Sequence, residues 1–219
     1  MKKKVVIFDL DGTILDTLTD LKNAVNYVLK NYKLKEKTTE EIKSYVGNGI
    51  EVLMRKAMPE QIEEIEFQKA FLMFKEYYEA NLQNETKPYD GIIELLKELK
   101  DDNVVLAVVS NKFQAGVDEL VPVFFKDTFK YAVGTSDEIR PKPEIDSIKY
   151  LFKELNISKE DDVYFVGDSE VDIKTARNAG IKIISVTWGF RSKESLIGYN
   201  PDFLIDTPIE ILSIINSKS

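Results

Sequence analysis

Two aspartates, Asp9 and Asp11, stand one residue apart directly after an apolar run near the start of the chain. The run, VVIF at residues 5–8, continues as DLDGT. Residues of the same parity leave a strand on the same side, so the two carboxylates lie together. Carboxylates that close repel each other unless a cation or a proton lies between them. Because Gly12 permits a sharp turn whose N–H groups could hold an anion, the segment predicts metal-assisted phosphoryl chemistry.

Two other interpretations of the same segment have to be weighed. A D-x-D-G string can be an ordinary exit from a strand into a turn. A calcium-binding EF-hand loop would need glycine at its sixth position and an acidic residue at its twelfth. Counting from Asp9, the sixth residue is Ile14, and the preceding segment is strand-like, so the EF-hand is excluded. The structural turn stays open on this segment alone.

Further polar groups follow other apolar runs of the chain. They are Ser110, Asn111 and Lys112 after residues 104–109, Asp168 and Asp172 after residues 163–166, and Lys142 in the RPKP string between them. Each has a structural explanation by itself, as a turn former, a residue at a helix start or an acid in a first helical turn. In a parallel sheet the carboxyl ends of the strands meet at one edge, where ligands bind. We therefore expect these groups to join Asp9 and Asp11 there.

The elements that must position these groups follow from hydrophobic periodicity. Continuous apolar runs predict buried strands at residues 5–8, 104–109, 163–166 and 181–186, with weaker signals at 131–133 and 203–205. Amphipathic helices are predicted between them at residues 91–100, 144–155 and 172–179, the last closed by Gly180. Alternation of strands and helices is typical of a parallel α/β sheet with right-handed crossovers.

Residues 16–84 differ from this pattern, because they contain only helical periodicity. Thr17 or Thr19 is a suitable N-cap for the first helix, and Thr38 with Glu41 forms a capping-box pattern for the second. Pro59 ends a third helix, and a fourth ends near Leu82. We therefore expect a Rossmann-like parallel α/β core from residues 1–15 and 85–219, with an all-helical cap inserted at residues 16–84.

Composition excludes several classes of function. The 219 residues contain no cysteine, which rules out disulfides, thiolate nucleophiles and zinc–thiolate sites. They contain no histidine either, so proton transfer falls to carboxylates, lysine, tyrosine or hydroxyl groups. A net charge of −8 argues against a nucleic-acid partner. The apolar runs are too short for a membrane helix or a signal peptide, so we expect a cytoplasmic protein without a membrane partner.

Four strings in order, FDLDGT, SNK, RPKP and GDSEVD, resemble the motifs of the haloacid dehalogenase superfamily in its phosphatase branch. The resemblance spans essentially the whole chain, and the helical block resembles that superfamily's first type of cap domain. Within the superfamily, the strings VGNG (46–49), KPYDG (87–91) and VTWGF (186–190) are most similar to the phosphoglycolate phosphatase group.

The resemblance implies a role for each motif residue. Asp9 would attack phosphorus and form an aspartyl-phosphate, and Asp11 would act as the general acid and then the general base. Mg²⁺ would be held by Asp9, the backbone carbonyl of Asp11 and Asp168, with Asp172 orienting the waters on the ion. Ser110 and Lys142 would bind the phosphoryl oxygens, with Lys142 also offsetting the charge of Asp9. Thr13, Asn111 and Asn48 would contribute to substrate binding, and Arg55 could meet a substrate carboxylate.

The expected activity is hydrolysis of a small phosphate ester, with phosphoglycolate as the leading substrate, by a monomer or homodimer. Asp at position 11 argues against dehalogenases, which need no acid for a halide leaving group. Phe113 follows Lys112 where the phosphoglycolate group often has proline. The resemblance therefore does not fix the identity of the substrate. A pyrophosphatase, a nucleotidase and a sugar-phosphate phosphatase or mutase remain alternatives. A phosphoacceptor signalling domain is the more distant one, and it would need neither a cap nor the second aspartate.

Overall fold

The structure is a computed structural model that describes residues 2–217 of the chain. In chain order its elements are β1 (Lys4–Phe8), β2 (Leu15–Asp16), α1 (Leu18–Asn31), α2 (Thr39–Tyr45), α3 (Ile50–Ala57), α4 (Glu64–Glu79), β3 (Lys87–Pro88), α5 (Ile92–Asp101), β4 (Val105–Phe113), α6 (Gln114–Phe124), β5 (Tyr131–Thr135), α7 (Asp146–Glu154), β6 (Asp162–Gly167), α8 (Glu170–Ala179), β7 (Lys182–Val186), α9 (Lys193–Gly198), β8 (Phe203–Ile205) and α10 (Glu210–Asn216). Among these helices none combines the length and the apolar content that a membrane span requires.

Six strands form one parallel sheet in the order β5-β4-β1-β6-β7-β8. The first strand is central, and Val5 pairs with Val105 of β4 on one side and with Val163 of β6 on the other. The chain builds outward from β1 to β5 and then returns to the opposite side of β1 with β6. The crevice at such a reversal, beyond the carboxyl ends of the strands, is where open α/β sheets bind ligands.

Helices cover both faces of the sheet, which explains why its strands are continuous apolar runs. Val6 and Phe8 belong to an apolar cluster that includes residues of α5, α6 and α10. Val5 and Ile7 point to the opposite face and belong to a cluster with residues of α7, α8 and α9. All four side chains are fully buried. The expected α/β class with a parallel sheet is therefore confirmed.

Helices α1 to α4 are consecutive, and we call them the helical insertion. Leu15 pairs with Pro88 and Asp16 with Lys87, so β2 and β3 form a short antiparallel ladder where the chain enters and leaves the insertion. This ladder had no sequence signal, because a pair of two-residue strands shows no periodicity. Asp20 also holds together the entry and the exit of the insertion, since its carboxylate accepts hydrogen bonds from the N–H groups of Glu85 and Thr86.

The predicted helix boundaries agree closely with the structure. Thr38 and Glu41 form both hydrogen bonds of the capping box at α2, and Gly180 closes α8 with φ of 68°. Thr17 is the N-cap of α1 but makes no side-chain capping bond. The main difference lies in β4, which continues past the apolar run through Ser110, Asn111 and Lys112, with a register shift against β5 between Val109 and Phe113.

Candidate active site

Asp9 begins the loop that follows β1, and its N–H donates to the carbonyl of Val166 at 2.8 Å. The loop turns at Gly12, whose φ is +86°. A side chain at this position would approach Asp168 Oδ2 to 2.6 Å, so only glycine fits. The N–H groups of Gly12 and Thr13 donate to backbone carbonyls within the loop. The N–H groups of Gly12 and Thr13 therefore hold the loop itself, and anion binding by other N–H groups of this turn stays a prediction.

Three carboxylates meet at the carboxyl ends of β1 and β6. One oxygen from each of Asp9, Asp168 and Asp172 lies within 4.8 Å of the other two, and all three residues are buried. Burial, followed by the charge of Asp172, raises the pKa of Asp168 to about 7. Burial also raises the pKa of Asp9 well above its ordinary value, although the nearby Lys142 opposes this shift. These carboxylates therefore need a cation to remain ionised together.

Each acid of this cluster is held by its own neighbours. Asp168 accepts a hydrogen bond from the N–H of Phe190 and a long one, 3.5 Å, from the Thr13 hydroxyl. Asp172 Oδ2 accepts hydrogen bonds from the N–H and hydroxyl of Ser169 in the capping box that starts α8. The carboxylates are thus fixed before any ligand binds, which is typical of groups that hold a metal ion.

Lys142 lies between two of these acids. Its ammonium nitrogen is 2.8 Å from Asp9 Oδ1 and 2.6 Å from Asp172 Oδ1, and its side chain is 3% exposed. Burial lowers the pKa of the ammonium, but the charges of Asp172 and Asp9 outweigh burial and leave the pKa raised. Lys142 is therefore charged at neutral pH and offsets part of the negative charge at Asp9.

Asn111 positions the loop that carries Lys142. Its Oδ1 accepts the Lys142 N–H at 2.6 Å, and its Nδ2 donates to the Lys142 carbonyl at 3.2 Å. The same Nδ2 donates to the carbonyl of Gly47 in the helical insertion at 3.1 Å. Both polar atoms of the side chain thus bond backbone groups. Asn111 was expected to contact substrate, and the geometry instead favours a positioning role.

Asp11 has a separate partner. Oδ1 of Asp11 accepts a hydrogen bond of 3.0 Å from the ammonium of Lys112, which also donates to the Tyr78 hydroxyl at 2.6 Å. Burial raises the pKa of the Tyr78 phenol to about 12, so the hydroxyl is neutral at pH 7. The two leading aspartates therefore face different lysines, which the spacing of the sequence did not indicate.

A cavity of ≈ 40 Å³ joins these groups to the helical insertion. Its polar lining comes from the sheet edge and includes Asp9, Asp11, Ser110, Asn111, Lys112, Lys142 and Asp168. Its apolar lining comes largely from the insertion, namely Leu21, Val46, Ile50 and Leu53. The cavity can hold one or a few small groups, and it combines cations, carboxylates and a hydroxyl on one side with an apolar wall on the other.

Two residues considered from the sequence lie elsewhere. Asn48 is exposed and does not line this cavity, although its neighbours Gly47 and Gly49 do. Its role in substrate binding stays a prediction. Arg55 bonds Glu51 and Glu64 on the surface of the insertion, and its guanidinium lies 3.8 Å from the centroid of the Phe67 ring. These partners account for the Arg55 side chain without a ligand.

Sequence reasoning missed Tyr78 and Arg191. Tyr78 follows the apolar periodicity of the fourth helix, which carries no signal of a polar partner. Arg191 comes directly after the VTWGF string, bonds Glu170 at 2.8 Å and donates to the Val46 carbonyl of the insertion at 2.7 Å. A cation five residues after the end of β7 was an available signal, since ligand sites lie at that edge.

The carboxylate cluster fits a magnesium ion. Asp9, Asp168 and Asp172 offer hard oxygen donors, which Mg²⁺ prefers, and histidine and cysteine are absent from the chain. The raised pKa values of Asp9 and Asp168 indicate that nearby cations balance the negative charge of the cluster only in part. The part expected of the Asp11 backbone carbonyl in holding the metal stays a prediction, and the carboxylate of the same residue is bonded to Lys112.

Comparisons with known proteins show the family of this chain. The family described as haloacid dehalogenase-like hydrolase has a sequence model that matches residues 6–186. Phosphoglycolate phosphatase of Haemophilus influenzae is 31% identical over 97% of this chain and 98% of its own length. Phosphoglycolate phosphatase 1 of Pseudomonas aeruginosa is 31% identical over 95% of this chain and 78% of its own. The crystal structure of a proposed phosphoglycolate phosphatase from Lactobacillus delbrueckii subsp. bulgaricus superposes with a TM-score of 0.92, at 35% identity and full coverage of both chains.

Proposed function

Because the chain belongs to the haloacid dehalogenase-like hydrolases, we propose that it hydrolyses a small phosphate monoester with Mg²⁺ through an aspartyl-phosphate. Phosphoglycolate is the leading substrate, since relatives that match nearly all of the chain bear that name. The observation that carries the proposal is the placement of Asp9 beside the Lys142 ammonium, 2.8 Å away, and within 4.8 Å of carboxylate oxygens of Asp168 and Asp172.

The first half of the reaction transfers the phosphoryl group to the protein. A carboxylate oxygen of Asp9 attacks phosphorus while the bond between phosphorus and the ester oxygen breaks. Asp11 gives a proton to the departing oxygen, which leaves as an alcohol. Ser110 and Lys142 line the same cavity and bind the phosphoryl oxygens, whose charge grows in the transition state.

The second half releases phosphate. Asp11, now ionised, takes a proton from water as the water oxygen attacks phosphorus of the aspartyl-phosphate. The bond between phosphorus and the Asp9 oxygen breaks, which restores the Asp9 carboxylate. The chain has no histidine, and we assign both proton transfers to the carboxyl group of Asp11.

Mg²⁺ bound by Asp9, Asp168 and Asp172 would neutralise these acids and draw negative charge from the phosphoryl oxygens. The chain's own contribution is to hold the donors rigidly. Thr13 and Phe190 orient Asp168, and Ser169 orients Asp172. Asp172 is in addition fixed by Lys142.

We further propose that the helical insertion is a cap that selects the substrate, with residues 1–15 and 85–219 as the core and 16–84 as the cap. Groups at the sheet edge contact only the phosphoryl group and the metal, which all phosphate esters share. The apolar wall supplied by Leu21, Val46, Ile50 and Leu53 meets the remainder of the substrate. Such a wall is superfluous for a phosphoacceptor signalling domain, which makes hydrolysis the better-supported function. The cytoplasmic location and the monomeric or dimeric state stay predictions.

The deciding experiment measures phosphate release from a panel of esters with purified protein. Phosphoglycolate, pyrophosphate, nucleoside monophosphates and sugar phosphates are compared with and without Mg²⁺. We expect Mg²⁺-dependent turnover and the highest kcat/KM with phosphoglycolate. A higher kcat/KM for another member would reassign the substrate, and undiminished turnover after chelation would contradict the role of the metal.

A further inference from the structure

The buried ammonium of Lys112 has no assigned part in the reaction described above. Its side chain is 1% exposed, and its nitrogen bonds Asp11 Oδ1 at 3.0 Å and the Tyr78 hydroxyl at 2.6 Å. Burying an ammonium group is unfavourable unless its partners are in place. Both of these partners are side chains, and one of them is the acid that the proposed reaction needs.

Tyr78 belongs to the helical insertion, near the end of α4. Its ring is buried, stacks on Phe74 with centroids 5.5 Å apart, and meets the edge of Phe113 at 6.5 Å. The Lys112 nitrogen lies 4.8 Å from the centroid of the same ring. The position of the ammonium therefore depends on how α4 packs against the end of β4.

Only one oxygen of Asp11 is occupied by this arrangement. Within residues 2–217, Oδ1 accepts the bond from Lys112, and Oδ2 accepts none. Asp11 also lines the cavity at the sheet edge. A general acid must present its oxygen to the reacting atom within hydrogen-bond reach and in a fixed orientation. Holding Oδ1 through Lys112 restricts rotation of the carboxyl group and leaves Oδ2 as the oxygen available for proton transfer.

We propose that Lys112 and Tyr78 are positioning residues that orient Asp11 for proton transfer, so that packing of α4 of the insertion controls the acid of the core. This inference rests on the proposed phosphatase function. It predicts a selective defect, because proton donation matters most for a poor leaving group. An alkyl phosphate needs its departing oxygen protonated, whereas p-nitrophenolate leaves readily without a proton.

The test compares kcat/KM for an alkyl phosphate and for p-nitrophenyl phosphate, since kcat/KM reports the step that forms the aspartyl-phosphate. The variants are Tyr78→Phe, which keeps the ring, and Lys112→Met, which keeps much of the side-chain length. We expect Tyr78→Phe to lower kcat/KM for the alkyl ester about tenfold, and Lys112→Met about 10²-fold; neither loss exceeds the roughly 10²–10⁴-fold that general acid catalysis supplies. For p-nitrophenyl phosphate the losses should be roughly tenfold smaller.

Tyr77→Phe is the matched control, because Tyr77 is on the same helix but stacks on Tyr27, with centroids 4.1 Å apart. A double-mutant cycle adds a readout that a purely structural role would not give. In an Asp11→Asn background, Tyr78→Phe and Lys112→Met should cause little further selective loss, since the group they position is gone.

Equal losses on both esters, full additivity with Asp11→Asn, or an effect of Tyr78→Phe no larger than that of Tyr77→Phe would overturn the inference. If Lys112→Met fails to fold, as judged by circular dichroism, Tyr78→Phe decides alone. If the unsubstituted protein hydrolyses neither ester, the proposed function fails and the inference fails with it. Selective loss with normal folding would support both.

Discussion

The ammonium of Lys142 lies 2.8 Å from Oδ1 of Asp9, in a place where both side chains are almost fully buried. Asp9 follows the first strand of the sheet, and Lys142 lies in the RPKP loop after β5. A buried ion pair of this kind needs further hydrogen bonds, and Asp172 supplies one at 2.6 Å. The pair defines the point at which we place the phosphoryl group.

Asp9→Asn should abolish turnover, because an amide oxygen is too weak a nucleophile to form the aspartyl-phosphate. We expect kcat to fall by at least about 10³-fold. Phosphate release with Mg²⁺ and the best ester measures the effect, and circular dichroism checks the fold. Asp137→Asn, at an exposed loop position, is the control and should keep full activity. Near-native turnover by Asp9→Asn would show that the covalent mechanism is wrong.

Asp11→Asn should slow both half-reactions, since the same carboxyl group donates a proton and later accepts one. A loss of about 10²–10⁴-fold in kcat is expected. Because hydrolysis of the aspartyl-phosphate also slows, some phosphoenzyme should accumulate and be visible by mass spectrometry after an acid quench. Unchanged kcat for an alkyl phosphate would remove Asp11 from the mechanism.

Asp168 should make the protein without metal less stable as the pH rises. Its folded-state pKa of about 7 lies above the ordinary 3.8, so the folded state binds the proton more tightly than the unfolded chain does. The stabilisation from this proton is complete below pH 3.8 and is lost as the pH rises to and through about 7. Asp168→Asn removes the titration, while its amide oxygen can still accept from the Phe190 N–H.

Thermal unfolding in the presence of a chelator tests this at pH 5 and pH 8. We expect the unfolding temperature of Asp168→Asn to exceed that of the unsubstituted protein at pH 8, with a smaller difference at pH 5. Added Mg²⁺ should stabilise the unsubstituted protein more than the variant at pH 8. A temperature difference that is the same at both pH values would contradict the assignment.

Asn111→Ala should impair catalysis through the position of Lys142. The substitution removes both bonds to the Lys142 backbone and the bond to Gly47. We expect kcat to fall about 10–100-fold, since a small displacement of the Lys142 ammonium from the reacting group lowers the rate strongly. The free energy of unfolding should fall by about 1–3 kcal/mol. Asn178→Ala is the control, because the exposed side chain of Asn178 makes one hydrogen bond within residues 2–217, to the carbonyl of Pro143, which follows Lys142. An equal loss of kcat in this control would contradict the role of Asn111.

Ile50→Ala should relax the choice of substrate, because Ile50 belongs to the apolar wall of the cavity. We expect the ratio of kcat/KM for a hexose phosphate to that for phosphoglycolate to rise about tenfold. Val52→Ala, on the same helix but with a side chain that is 37% exposed, should leave the ratio unchanged. Asn48→Trp tests the residue indicated by the sequence. A larger change in the ratio with Asn48→Trp than with Ile50→Ala would indicate that the loop at residues 46–49, rather than the apolar wall, selects the substrate.

Much of the site was predictable because its residues occupy ends of strands. Asp9, Ser110 and Asp168 each follow an apolar run, and a parallel sheet brings such ends together whatever the intervening sequence. Capping at Thr38 and at Gly180 was predictable for a similar reason, since both signals are local and act within one helical turn. The short ladder of β2 with β3 carried no such signal.

The sequence by itself thus determined the class of fold, the order of the strands along the chain and the set of acids and lysines at one edge. The tertiary structure decided the pairing of Asp11 with Lys112 and of Lys112 with Tyr78, and it gave the distance for the Asp9–Lys142 pair that the resemblance implied. It also showed that Ile50 and Gly47 line the cavity, whereas Asn48 does not. The reason is physical: a strand end fixes where a side chain starts, but its partner depends on distances of a few ångströms. Those distances are set only when helices far apart in the chain pack on the sheet.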